Sequence, residues 1–79
     1  MGTDSLKTFF GNIASLRKHY GYSKKHMAQI LGISIGTLNK IEAGITPPRL
    51  SIEVVLAVSR FFHIQPSVLF SQLLFAKLQ

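Results

Sequence analysis

Residues 22–48 read YSKKHMAQILGISIGTLNKIEAGITPP, and this stretch decides the fold. Two short apolar-periodic segments flank Gly32: Met27, Ala28, Ile30 and Leu31 come before it, Leu38 and Ile41 after it. Ser23 and Ser34 stand where N-caps are needed, and Gly32 and Gly44 stand where each segment must stop. Ala28 is small enough to let two helices cross closely. Four residues later, Gly32 permits a tight positive-φ turn that a β-carbon disfavours. Met27, Leu31, Ile33, Leu38 and Ile41 supply apolar contacts that would lock two such helices at a steep angle. The stretch therefore predicts two short helices joined by a tight turn, roughly from Lys24 to Ala43.

The flanking sequence is also helical in pattern. Leu6, Phe9, Phe10, Ile13, Leu16 and Tyr20 recur at helical spacing, with Asp4 or Ser5 as the starting cap and Gly21 as the stop. Thr46-Pro47-Pro48 reads as a rigid extended turn, because a residue before proline is pushed out of the helical region. A fourth helix is predicted from about Ser51 to Phe62, with Ile52, Val55, Leu56, Ser59 and Phe62 facing inward. Its β-branched Ile52, Val54, Val55 and Val58 could also spell a strand; the length and the helical neighbours favour a helix. Pro66 suits the first turn of a fifth helix running to about Leu78. The fold class expected is all-α, a compact bundle of five short helices.

Composition sets the outer limits. Seventy-nine residues make one domain, 1–79, and with 47% apolar residues and no cysteine its core must come from helix packing. Nine Lys and Arg against three Asp and Glu give a net charge of +6, which favours polyanionic partners, nucleic acid or an anionic membrane surface. No signal-peptide pattern opens the chain and no apolar run reaches the length of a membrane span, so the expected location is cytoplasmic, with no membrane partner. His19, His26 and His63 share neither a helical face nor a ligand spacing, so no metal is expected. Asp4, Glu42 and Glu53 are too few and scattered for carboxylate-pair catalysis, and no phosphate loop or nucleophile motif is present. Neither an enzyme nor a cofactor is expected.

The small Ala, turn Gly, apolar residue and Ser, followed by an apolar–Glu–x–Gly ending, resemble the phage-repressor and Cro-like helix-turn-helix family, often called Xre. The likeness runs from about Leu16 to Leu69. It implies a lambda-repressor-like bundle that binds double-stranded DNA, with the helix opened by Ser34 in the major groove. Arg17 and Glu42 match positions where members commonly carry an Arg–Glu pair tying the first helix to the third. Three positions depart from the pattern: Lys24 replaces the usual Gln, Gly36 replaces a side chain in the recognition helix, and His63 stands where Gly often ends the fourth helix.

At about 100° per residue, Leu38 and Ile41 point one way, while Ile35, Gly36, Asn39, Lys40 and Ala43 share the opposite face. Asn39 can donate to and accept from adenine, Lys40 can reach guanine acceptors or phosphate, and Ile35 can pack on a thymine methyl. Gly36 lets the helix start approach the duplex. The base-facing set is therefore Ser34, Ile35, Gly36, Asn39 and Lys40; the bland alternative is a solvated helix face. Lys24 and Lys25 open a helix where the dipole disfavours cations, a cost that an adjacent phosphate would offset. With Ser23, Thr46 and Arg49 they make the expected phosphate contacts, although capping alone accounts for Ser23 and Ser34.

The segment from Pro66 to Leu78 is apolar nearly all round, so one face can cover the core and the rest needs another cover. Residues 66–78 are assigned as a dimerisation helix, with Phe70, Leu73, Leu74 and Phe75 at the interface of a homodimer suited to a palindromic operator. Membrane-surface docking, another protein, and a longer natural chain are the competing covers, ranked below the homodimer. The leading reading is a sequence-specific transcriptional repressor acting as a dimer. The alternatives are a protein-interaction module on the same fold, binding a regulator or a toxin, and a peripheral membrane protein.

Overall fold

The computed structural model describes residues 2–48 and 50–74, which form five helices and no strand. They are α1 (Gly2–Tyr20), α2 (Lys24–Leu31), α3 (Ile35–Glu42), α4 (Ile52–Phe62) and α5 (Pro66–Ser71). Helix α1 packs on α3 and α5, α2 on α3 and α4, and α4 on α5. Phe9, Ile13 and Leu16 of α1 meet Met27, Ala28 and Leu31 of α2, Leu38 and Ile41 of α3, Val54, Val55 and Val58 of α4, and Leu69 of α5 in one core. Full burial of each large side chain here stabilises the fold by about 1.5–3 kcal/mol. No helix among the described residues is long and apolar enough to cross a membrane.

Local signals act where the sequence places them. The Ser23 hydroxyl accepts from the His26 N–H at 3.0 Å, and the Ser34 hydroxyl from the Thr37 N–H at 3.1 Å. Gly32 sits at φ 69°, its N–H donates to the Gln29 carbonyl, and the Ile33 N–H reaches back to the Ala28 carbonyl at 3.0 Å. This pair of bonds satisfies the last carbonyls of α2 and turns the chain sharply into α3. Helix α4 ends in the same way at His63, which holds φ 57° without glycine's freedom. Pro47, in the loop that joins α3 to α4, is buried.

Three expectations are corrected. Helix α1 already begins at Gly2, so Asp4 and Ser5 lie within it rather than capping it. The inward face of α4 is Val54, Val55 and Val58, whereas Ile52 is 68% exposed and Leu56 37%. The fifth helix does not run on to Leu78: it stops at Ser71, and Gln72 is extended at φ −130°, ψ 132°. Positions 75–78 of the expected helix lie outside the described residues.

The early stop of α5 has a cause far upstream in the chain: the Asn12 side chain, fully buried on α1. Its amide nitrogen donates to the Leu69 and Gln72 carbonyls, each at 2.8 Å, and its oxygen accepts the Leu74 N–H at 2.7 Å. One side chain thus supplies the partners that another helical turn would have given, and binds residues 72–74 to α1. The sequence signal for Asn12 is a lone amide within the apolar stripe of Phe9, Ile13 and Leu16.

Candidate nucleic-acid interface

Helix α3 is short, capped at both ends and anchored by two residues. Leu38 and Ile41 are fully buried, which leaves Ile35, Gly36, Asn39, Lys40 and Ala43 exposed on one face. That face holds one amide, one cation, one β-branched side chain at 44% exposure and two very small residues, with no acid. A β-carbon built on Gly36 would meet only the Ser34 hydroxyl, at 3.9 Å, so nothing in the fold requires glycine there. The Ser34 hydroxyl is itself committed: it accepts the Thr37 N–H and donates to the Thr37 hydroxyl at 3.0 Å. Thr37, Lys40, Pro47 and Pro48 line an open depression of about 360 Å³ between α3 and the loop that follows it.

The orientation of α3 is fixed by an ion pair. Arg17 Nε donates to one Glu42 oxygen at 2.6 Å and Nη2 to the other at 2.9 Å, with the side chains only 15% and 10% exposed. Arg17 Nη1 also donates to the Tyr22 carbonyl at 3.1 Å. One guanidinium therefore joins α1, the turn into α2 and the end of α3. Its pKa is raised, chiefly by the hydrogen bond to Glu42; burial opposes that shift, and the charge of the same carboxylate adds a smaller upward push. Glu42 is the sole acid between Asp4 and Glu53, and it is spent inside the fold. Lys18, Lys24, Lys25 and Lys40 are all exposed, and no acid outside that pair stands in their segment.

The structure brings the expected contact residues to the surface in two groups. Ile35, Gly36, Asn39 and Lys40 form the outward face of α3, and Ser23, Lys24 and Lys25 open α2, whose first turn carries no acid. Thr46 is exposed on the loop after α3; Arg49 lies outside the described residues. The tail residues divide. Phe70 is half-buried and stacks on Phe9 with ring centroids 4.6 Å apart, and Leu74 packs partly into the core. Leu73 is 61% exposed, and Phe75 lies outside the described residues. Among the described residues, no three His, Asp or Glu side chains gather as a metal-ligand group.

Two short helices crossing through a positive-φ glycine, the second held by a part-buried ion pair with an acid-free face outward, make a helix-turn-helix. A sequence model of the helix-turn-helix family matches residues 13–69. The chain belongs to that family, the Xre and lambda-repressor-like one. The family is one of DNA-binding transcription regulators. Searches of curated proteins and of solved structures gave no match.

Proposed function

We propose that this helix-turn-helix protein is a sequence-specific transcriptional repressor that acts in the cytoplasm and binds double-stranded DNA as a homodimer. The observation that carries the reading is the outward face of α3: exposed, acid-free, and fixed from behind by Leu38, Ile41 and the Arg17–Glu42 pair. In the major groove, Asn39 pairs with an adenine edge, Lys40 with guanine or phosphate, and Ile35 with a thymine methyl, while Gly36 admits the helix start. Ser34 contributes through its cap, which holds that start in place. Lys24, Lys25, Ser23, Thr46 and Arg49 grip the backbone. In a dimer, two α3 helices spaced about 34 Å apart enter successive grooves. Leu73 and the apolar residues beyond it, Phe75 included, form the dimer contact, while Phe70 and Leu74 support it from within the subunit.

Selection from a random duplex library, followed by titration across salt concentrations, tests this reading. Asn39→Ala should relax preference at one or two positions, at about 1–3 kcal/mol. Lys25→Ala should weaken every duplex alike and reduce the salt slope by about one. A selected motif unchanged by Asn39→Ala would show that α3 does not read bases. Sedimentation equilibrium of the wild type and Leu73→Ser decides whether the tail assembles the dimer.

A further inference from the structure

A second surface is built where the end of α1, the start of α2 and the end of α4 converge. Six rings meet there, His19 lying edge to face with Tyr20 at 4.9 Å. Tyr20 stacks near Tyr22 with centroids 5.8 Å apart and contacts Phe62 at 5.5 Å; Tyr22 contacts His26 at 4.6 Å and Phe61 at 6.2 Å. Phe61 and Phe62 meet edge to face at 4.9 Å. Tyr22 and Phe62 are half-buried and form the floor, whereas Tyr20 is 52% and Phe61 46% exposed. The turns that carry these rings also carry Lys18, Lys24, Lys25 and Arg60, all exposed, and contain no acid.

We infer that this surface docks an acidic polypeptide segment that lays an apolar side chain on Tyr20 and Phe61. Clustered exposed aromatics at the centre of a polar rim mark protein contact sites, since they bury large apolar area at low entropic cost. The charge decides the occupant. A symmetric contact between two copies would set each cationic rim against its own image, so a second copy is disfavoured. A single-stranded nucleic acid needs open ring faces on which bases stack, but Tyr20 and Tyr22 lie nearly parallel, 17° apart, and turn faces toward each other. An acidic segment with an apolar anchor satisfies both the rim and the floor.

The test uses the full chain and a short synthetic peptide that alternates glutamate with leucine and carries one tryptophan. In ¹⁵N-labelled protein the peptide should shift the amide signals of Tyr20, Tyr22, His26 and Phe61. Tyr20→Ser and Phe61→Ser should each weaken it about tenfold or more with helix content retained. Arg60→Glu, at an exposed position, tests the rim should either ring variant lose its fold. It should weaken the peptide too, and a lysine-for-glutamate peptide should not bind. Shifts confined to Ile35–Lys40, or peptide binding undiminished in folded variants, overturn the proposal. So does a single-stranded oligonucleotide that binds these rings more tightly than the peptide. Duplex affinity of the same variants is a separate readout, so failure of the DNA reading leaves this test intact.

Discussion

Replacing Gly36 by alanine should make the protein more stable and a worse DNA binder. Gly36 is the second residue of α3, exposed, and its added β-carbon would meet one atom, the Ser34 hydroxyl, at an ordinary 3.9 Å. In a helix interior, alanine is favoured over glycine by about 1 kcal/mol; in a first turn we take about half of that. For a chain this small, 0.5 kcal/mol corresponds to a rise of about 2–4 °C in Tm. On DNA the same methyl stands where the helix start approaches the duplex, and displacing that approach should cost about tenfold in Kd, roughly 1.4 kcal/mol. Gly32→Ala is the matched control. Its β-carbon would meet nothing within 4 Å, yet φ is +69°, so the change should cost about 1 kcal/mol in stability through backbone strain alone. Thermal melts by circular dichroism and fluorescence anisotropy with a selected duplex measure both quantities. A Gly36→Ala protein with unchanged affinity would refute the close approach of α3, and a lower Tm would refute the argument that the fold leaves this position open.

Asn12→Ala should cost about 2–4 kcal/mol, because it strands two carbonyls and one N–H. Hydrogen exchange should accelerate first at Leu74, and an unchanged rate there would show that the amide does not hold the tail. Glu42→Ala should cost about 2–4 kcal/mol by leaving the largely buried Arg17 unpaired, and the Arg17→Ala/Glu42→Ala double variant should lose less than the two singles summed, as read by denaturant titration. Because the folded pKa of Arg17 is raised, its contribution is complete below the ordinary arginine range and is lost only as pH climbs through the raised value. Melting curves at mildly alkaline pH should therefore show no loss from this group. His63→Gly should stabilise by about 0.5–1 kcal/mol, since it relieves a left-handed non-glycine residue at φ 57°; a lower Tm would mean that the imidazole makes a compensating contact.

The sequence by itself determined the central motif. Caps at Ser23 and Ser34, the turn at Gly32, and the opposition of Leu38 and Ile41 to Asn39 and Lys40 all depend on residues within a few positions of one another. Such local chemistry is readable without tertiary information. The Arg17–Glu42 contact spans 25 residues and came from family resemblance rather than periodicity. Helix α4 shows where local reading fails. Ile52, Val54, Val55, Leu56, Val58, Phe61 and Phe62 spread over a broad arc opposite Glu53 and Arg60, so the pattern does not rank them, and packing on α2 and α5 selected Val54, Val55 and Val58. The length of the last helix departs from its pattern for a related reason. Its pattern permits a helix to Leu78, but Asn12 offers the backbone at residues 69–74 an alternative set of hydrogen bonds from across the fold. The convergence of Tyr20, Tyr22, His26, Phe61 and Phe62 likewise exists only once three helix ends meet. Local bonding sets where helices start and turn; burial, which sums over distant residues, decides which faces they show, and hydrogen bonds from a side chain across the fold decide where the last one stops.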